Sequence, residues 1–215
     1  MTIQVVTKDG KEVEEPFLLR VSGWTEERYF AEAPETRIWE FIDGELIVHS
    51  PANTLHQRLV HFLTFLLSGF VQERELGEVF NGPAVLHLRA GVNTEPDMFF
   101  ISRERLASVS LPFVEGLADL VIEVLSPSTR SYDLVDKARV YLEGGVKEYW
   151  VIDPRRRQVY FHTVMPSDSI GWEVQVQESG RLFSLAVPGF WIDVDWLWQE
   201  PLPRATAMLR EVLRG

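Results

Sequence analysis

Hydrophobic positions along the chain follow two periods, and each period predicts one kind of secondary structure. Residues 53–74 carry apolar side chains at positions 55, 59, 62, 63, 66, 67 and 70, the spacing of a helix with a wide buried face. Residues 37–50 hold two β-rich runs around Asp43-Gly44, a dipeptide typical of a type I′ hairpin turn. Thr25 is expected to cap a short helix over residues 26–33.

The rest of the chain alternates strand patterns with one helix before a β-rich tail. Strands are predicted at 84–90, 95–101, 119–125 and 147–154, a helix with a glycine cap at 131–145, a β-meander at 158–164, 172–178 and 181–187, and a closing helix at 203–214. This order predicts an α/β (α+β) fold with one right-handed crossover. A mixed β-sheet flanked by helices is expected, with an N-terminal hairpin and a C-terminal β-meander.

Composition adds that the chain has the make-up of a soluble globular protein. Its 215 residues are 46% hydrophobic and 25% charged, both ordinary values for such proteins. No apolar stretch is long enough to span a membrane, and the N-terminal residues lack the apolar core of a signal peptide. We therefore expect a cytoplasmic protein with no membrane partner. The absence of cysteine excludes disulfides and thiolate metal sites.

The net charge of −11 restricts the partners that the protein can bind. A nucleic-acid-binding protein usually carries a basic surface, because cationic contacts to phosphates supply much of the affinity. This chain has only local basic clusters, such as PRRRQ at 154–158. A nucleic-acid partner would therefore need a local positive surface, or one formed by oligomerisation.

Two acidic residues stand within apolar strand patterns. Strand alternation places Asp97 and Glu123 in mid-strand, where a carboxylate without a partner costs several kcal/mol. Two neighbouring acids repel each other, which favours a divalent cation as their common partner. Oxygen ligands without cysteine suit Mg²⁺ or Mn²⁺ better than Zn²⁺. A sheet edge or an ordinary salt bridge would explain either acid without a metal.

One lysine of the 131–145 helix can be directed toward the same place. Leu134, Lys137 and Tyr141 share a helical stripe that borders the apolar face. The lysine stem can lie along this apolar surface while its ammonium reaches polar groups. The alternative is that Lys137 pairs with Asp133, four residues earlier, in solvent.

Three segments closely resemble the Uma-type restriction endonuclease family of the PD-(D/E)XK nuclease superfamily: residues 39–60, 95–101 and 119–154. The resemblance extends over residues 24–200, which leaves an N-terminal extension at 1–23 and a C-terminal helix at 201–215. It implies a restriction-endonuclease-like core and Mg²⁺- or Mn²⁺-dependent hydrolysis of nucleic-acid phosphodiester bonds. DNA is the expected substrate, and a homodimer would suit double-strand cleavage.

The resemblance also implies roles for individual residues. Asp97 corresponds to the aspartate of the PD motif and Glu123 to the glutamate of the ExK motif, and both would hold the metal. Leu125 occupies the position of the usual lysine and can neither orient water nor stabilise charge. The resemblance implies that Lys137 takes this role. The family also has a glutamate at the place of Glu40, which would bind metal or orient water unless it is simply an exposed hairpin acid.

Three further residues are weaker candidates. His56 points partly inward from the first long helix, where it could contact phosphate or Glu40, or serve as a hydrogen-bonded structural histidine. Ser126 and Arg130 precede the 131–145 helix and could bind phosphate. Helix capping alone would explain the hydroxyl groups of this segment.

Two functions of different classes follow from these observations. The first is a metal-dependent endonuclease with Asp97, Glu123 and Lys137 in one pocket. The second is a catalytically inactive module on the nuclease fold that binds nucleic acid or protein, because a fold can persist after its chemistry is lost. The acidic composition and the missing strand lysine favour the second alternative.

Overall fold

The computed structural model of the chain describes residues 16–33, 38–106, 114–115, 118–165 and 171–215. Residues 1–15 of the predicted N-terminal extension lie outside the described residues. The limits of the extension and of the C-terminal helix stay predictions.

The strands of the described residues form two large sheets and one small sheet. In chain order they are β1 (Leu18–Ser22), β2 (Trp39–Ile42), β3 (Glu45–His49), β4 (Gly77–Asn81), β5 (Leu86–Arg89), β6 (Val92–Thr94), β7 (Met98–Ser102), β8 (Val114–Glu115), β9 (Leu120–Val124), β10 (Glu148–Asp153), β11 (Gln158–Val164), β12 (Trp172–Gln177), β13 (Arg181–Phe183) and β14 (Trp191–Asp193). In this part of the chain, the N-terminal sheet has the order β1-β3-β2-β6-β5-β8 and the central sheet the order β12-β11-β10-β9-β7-β4.

The helices of the described residues include one π-helical and one 3₁₀ segment. In chain order they are α1 (Glu26–Glu32), α2 (Thr54–Glu73), α3 (Arg103–Leu106), a π-helix (Tyr132–Lys137), α4 (Ala138–Glu143), a 3₁₀-helix (Val194–Trp198) and α5 (Ala205–Arg214). None of the helices in the described ranges is long and apolar enough to cross a membrane.

Local sequence signals set several of these boundaries. Asp43 and Gly44 both have positive φ values, 47° and 90°, as a type I′ turn requires. The side chain of Thr25 accepts a hydrogen bond from the first turn of α1, and Asn53 caps α2 in the same way. After α4, Gly145 adopts a φ of 77°, which ends the helix as predicted.

The central sheet is mixed and is covered by helices on both faces. β9 and β10 are parallel, whereas the other neighbouring strands of this sheet are antiparallel. α2 and α5 share one apolar core with one face of the sheet, and α4 packs in a second core on the other face. The predicted class, a mixed sheet flanked by helices, is confirmed.

The segment of the π-helix and α4 lies between the two large sheets. Ala138 and Tyr141 pack into the core of the central sheet. Tyr132 and Val140 pack instead with apolar residues of β2, β3 and β6 in the N-terminal sheet. This helix therefore has neighbours on two sides, and side chains that project from it can reach both sheets.

The first half of this helix differs from the α-helix that the sequence predicts. Residues five apart lie about 140° from each other on an α-helix, which has 3.6 residues per turn. The i→i+5 bonding of a π-helix brings such residues nearer to the same side of the helix. Tyr132 and Lys137 are five apart, and both reach Glu40. The π-helical geometry gives these two polar side chains one common target.

The predicted β-meander is correct for β11 and β12 but wrong for the strand at 181–187. β13 ends at Phe183 and pairs with β14 in a separate two-stranded sheet. The following residues turn away because the backbone N–H groups of Leu185 and Ala186 donate to the carboxylate of Glu148, at 2.6 and 2.7 Å. These backbone N–H groups bind the buried carboxylate of Glu148 instead of a neighbouring strand.

Candidate functional site

The site is built around the ammonium group of Lys137. This residue is only 2% exposed to solvent. Nζ lies 2.6 Å from Oε1 of Glu123 in the central sheet and 2.9 Å from Oε1 of Glu40 in the N-terminal sheet. Asp133 of the π-helix is a third neighbour, with Oδ1 at 3.8 Å. The alternative in which Lys137 pairs with Asp133 in solvent is wrong, because both residues are buried.

Glu40 is an interior residue and not an exposed hairpin acid. Its side chain has no solvent exposure, and its Oε2 lies 2.6 Å from Nε2 of His49 and accepts a hydrogen bond from the hydroxyl of Tyr132 at 2.8 Å. Burial acts to raise the pKa of Glu40, but Lys137 and His49 outweigh it and lower the pKa to about 2. Glu40 therefore carries a negative charge opposite the Lys137 ammonium.

Asp97 and Glu123 meet where β7 begins and β9 ends. The backbone N–H of Asp97 donates to Oε2 of Glu123 at 3.3 Å, and the N–H of Val124 donates to Oδ2 of Asp97 at 2.7 Å. Glu123 lies within β9 as predicted. The mid-strand position of Asp97 is wrong: it directly precedes β7, and its carboxylate reaches the backbone N–H of Val124 at the end of β9.

A cleft opens at this edge of the central sheet. Its lining includes His56, Glu95, Asp97, Glu123, Ser126 and Lys137. The structure thus brings the three main candidates, the PD-motif aspartate, the strand glutamate and the helix lysine, to one place. Leu125 is buried in the apolar core and takes no part in the lining.

His56 contacts Asp97 rather than Glu40, so of the alternatives the structure shows a hydrogen-bonded histidine. Nε2 of His56 lies 3.0 Å from Oδ1 of Asp97, and Glu40 is paired with His49 instead. Burial acts to lower the pKa of His56, but the hydrogen bond and the charge of Asp97 outweigh it and raise the pKa. The contact holds the Asp97 carboxylate in position.

The acids of the site outnumber the nearby cations, and their pKa values reflect this. Burial favours the neutral amine, but Glu123, Glu40 and Asp133 outweigh it and raise the pKa of Lys137 well above its ordinary value. Burial, together with Asp97 and Asp133, also raises the pKa of Glu123 despite the contact with Lys137. One ammonium cannot neutralise several buried carboxylates at once, so the least compensated acids keep their protons.

Glu95 is the least compensated acid of the cleft. Its Oε1 accepts a hydrogen bond from the backbone N–H of Trp39 at 3.2 Å, while its buried Oε2 has no hydrogen-bond partner. Burial, followed by the charge of Glu40, raises the pKa of Glu95 to about 8. At neutral pH Glu95 therefore keeps its proton, beside Asp97 and Glu123 in the lining of the cleft.

The donor set fits a hard divalent cation of the kind that the sequence resemblance implies. The described residues contain no group of three or more His, Asp or Glu side chains with metal-ligand geometry. Mg²⁺ is nevertheless commonly bound by one or two carboxylates, with water and substrate phosphates completing its ligands. Asp97 and Glu123 meet that requirement, and each carboxylate oxygen can accept more than one partner.

Ser126 and Arg130 have different surroundings. Ser126 lines the cleft, and its Oγ lies 3.1 Å from Oγ of Ser128. The guanidinium of Arg130 turns to β10 and β11, where it donates to Asp153 at 3.2 Å and to the hydroxyl of Tyr160 at 2.7 Å. Phosphate binding by these two residues stays a prediction.

Sequence reasoning missed two polar members of the site, His49 and Glu95, and considered Asp133 only as a partner of Lys137 in solvent. A signal existed for His49, because the two-residue turn fixes the pairing of Glu40 with Ile47. His49 then lies on the same face, diagonally opposite Glu40. Glu95 gave no such signal, because its burial depends on packing between the two sheets.

Comparisons with known proteins agree with the fold. A family model described as "Uma2: Putative restriction endonuclease" matches residues 26–195. The chain is also similar to the crystal structure of a "putative nuclease belonging to DUF820" from Anabaena variabilis, with a TM-score of 0.64 and 17% sequence identity. That match covers 79% of this chain and 94% of the other, and it supports the fold alone. No curated protein matches the chain.

Removing the central ammonium is expected to destabilise the protein strongly. Lys137→Met leaves Glu40 and Glu123 buried without their shared partner, which should lower the free energy of unfolding by about 3–5 kcal/mol at neutral pH. Urea denaturation would measure this loss. The matched control is Arg139→Met, because Arg139 is half exposed and pairs with Glu143 on the surface. A loss no larger than that of the control would contradict the buried-charge account.

Glu95 should make stability depend on pH in a defined window. Its pKa is about 8 in the folded protein and 4.5 as a reference value, so the folded state holds a proton that the unfolded state releases between these values. Stability should therefore fall as pH rises through this window. Glu95→Gln keeps an acceptor for Trp39 and removes the titration.

Urea denaturation of wild type and Glu95→Gln at pH 5 and pH 8 would test this dependence. The variant should gain stability relative to wild type by on the order of a few kcal/mol between the two pH values, since one pKa unit corresponds to about 1.4 kcal/mol. Glu123 and Asp133 are present in both proteins and largely cancel in the comparison. Equal pH dependence of the two proteins would rule out a buried, titrating Glu95.

Proposed function

The chain belongs to the Uma2 family of restriction endonucleases, and from this premise we propose that its cleft hydrolyses phosphodiester bonds of nucleic acid. The observation that carries the proposal is the meeting of Asp97, Glu123 and Lys137 in one cleft. The acids there exceed the cations, and a phosphate-bound divalent cation would compensate the excess. This is the chemistry of a PD-(D/E)XK-type site whose lysine is supplied by the following helix.

Asp97 and Glu123 would hold the cation, with Mg²⁺ or Mn²⁺ as the expected ions. When bound, such an ion neutralises phosphate oxygens and lowers the pKa of a water molecule. Glu95 lies in the same lining, and its carboxylate would accept a hydrogen bond from a water ligand once it has lost its proton. His56 keeps the Asp97 carboxylate oriented toward the cleft through its 3.0 Å contact.

Lys137 would have two roles in the reaction. Two of its three ammonium donors go to Glu123 and Glu40, which fixes the position of Nζ. The third can meet a water molecule or a phosphate oxygen, because Lys137 also lines the cleft. A preorganised cation at this position would stabilise the negative charge that develops on the phosphoryl group.

The finer features of the proposal follow the sequence resemblance. We expect DNA as the substrate, a homodimer that cuts both strands, and a cytoplasmic setting. Ser126, which lines the cleft, would donate a hydrogen bond from its hydroxyl group to a phosphate oxygen. Arg130 would bind a phosphate beside the cleft rather than within it, because its guanidinium is hydrogen-bonded to Asp153.

A binding module without turnover is the second candidate function. The raised pKa of Glu123 favours it, because a protonated carboxylate is a poor metal ligand. Under this alternative the cleft would bind nucleic acid but would not hydrolyse it. Cleavage assays separate the two functions directly.

Cleavage should depend on Asp97. Supercoiled plasmid, single-stranded DNA and RNA would be incubated with Mg²⁺ or Mn²⁺, and we expect cleavage of DNA by wild type and a loss of at least about 100-fold in Asp97→Asn. This loss corresponds to about 3 kcal/mol of transition-state stabilisation. The substitution preserves the shape of the side chain but removes its charge.

The matched control is Asp43→Asn in the exposed hairpin turn, where asparagine is equally suited to the positive φ. It should cleave at the wild-type rate. Cleavage that survives in Asp97→Asn would contradict the proposed site. Nucleic-acid binding with no cleavage by any of the proteins would support the binding module.

A further inference from the structure

A basic turn lies at the same sheet edge as the cleft. Residues 154–157 connect β10 to β11, and Arg155, Arg156 and Arg157 within it are exposed. None of the three takes part in an ion pair within the described part of the chain. Three adjacent exposed arginines form a local positive surface on a chain with a net charge of −11.

The parallel pairing of β9 and β10 brings this turn beside the cleft. Val124 pairs with Ile152, and the backbone N–H of Leu125 donates to the carbonyl of Ile152 at 2.8 Å. The two strands therefore end together, one strand spacing of about 4.8 Å apart. β9 leads into Ser126 in the cleft lining. β10 leads into the turn at residues 154–157, which we call the arginine turn.

A buried carboxylate fixes the backbone of the turn. Oδ1 of Asp153 accepts hydrogen bonds from the N–H groups of Arg155 and Arg156, both at 3.1 Å. Oδ2 accepts from Nε of Arg130 at 3.2 Å. Asp153 is buried, so it orders the turn and Arg130 together while the three turn guanidinium groups remain in solvent.

The charges of this region match those of a nucleic-acid backbone. The patch consists of Arg130 and Arg155–Arg157, and Asp153 is the single carboxylate that the described contacts assign to it. Glu178 lies nearby and accepts a hydrogen bond from the side-chain amide of Gln158. Arginine is well suited to phosphate because its planar fork can donate two parallel hydrogen bonds.

We propose that the arginine turn at residues 154–157 is a contact surface for the phosphate backbone of a nucleic acid that extends from the cleft. The inference rests on the proposed function, because it assigns the same nucleic acid to both surfaces. It also reconciles nucleic-acid binding with the net charge of −11, because the positive charge is local to a turn beside the cleft. The turn positions the nucleic acid and makes no contact with the reacting phosphate.

The test compares two matched double variants in nucleic-acid binding. Arg155→Gln with Arg156→Gln removes two positive charges from the turn, and the backbone bonds to Asp153 are retained. Arg210→Gln with Arg214→Gln makes the same charge change on α5, where both arginines are exposed. α5 packs near Gly69, roughly 20 Å along α2 from His56.

Binding would be measured by fluorescence anisotropy with labelled duplex and single-stranded oligonucleotides, in EDTA to prevent hydrolysis, over a series of salt concentrations. We expect the turn variant to bind duplex about 10- to 100-fold more weakly at about 0.1 M salt. The slope of log K against log salt should fall by about 1.8, because each phosphate contact contributes about 0.9. Arg155→Lys with Arg156→Lys should restore the slope.

The outcomes distinguish this inference from the proposed function. Equal weakening in the turn and α5 variants, or unchanged binding in both, would overturn the role of the turn. Asp97-dependent cleavage by wild type would then still support the proposed function. If wild type neither binds nor cleaves nucleic acid, both proposals fail together. Thermal unfolding of the variants should remain at the wild-type temperature, because the substituted side chains are exposed.

Discussion

The ion cluster of Lys137 with Glu40 and Glu123 is the interaction on which the rest of the structure depends. An ammonium buried between two sheets is stable only if its charge is compensated on both sides. Glu40 comes from the N-terminal sheet and Glu123 from the central sheet, and both lie within 3 Å of Nζ. The same contacts that hold the layers together thus place the lysine at the cleft. Stability and the proposed chemistry share one group of atoms.

The charges of this cluster do not balance, and the imbalance accounts for the chemistry of the cleft. Glu40 is ionised opposite Lys137, whereas burial raises the pKa values of Glu123 and Glu95. The pKa of Asp133 is likewise raised, to about 6, mainly by burial. A divalent cation would supply the missing positive charge and displace the retained protons. Without a metal, protons neutralise the least compensated acids; with a metal bound, the cation would neutralise them instead.

Much of the fold could be predicted because its signals are local. The Asp43-Gly44 turn, the Thr25 cap and the end of α4 each depend on a few neighbouring residues. Lys137 was identifiable because its helical stripe borders an apolar face. The π-helix could not be predicted in this way, because Glu40, which Tyr132 and Lys137 both contact, lies about a hundred positions earlier in the chain. The separate pairing of β13 likewise depends on a distant acid, Glu148. Interactions between elements, rather than patterns within them, set these features.

The central claim is that a divalent cation compensates the excess acid of the cleft, and calorimetric titration with Mn²⁺ tests it most directly. Titrations of wild type and Asp97→Asn at neutral pH, in two buffers with different ionisation enthalpies, would report both affinity and proton release. The account predicts that wild type binds Mn²⁺ with release of about one proton, and that Asp97→Asn binds at least about tenfold more weakly. Equal binding by both proteins, or binding without proton release, would contradict it.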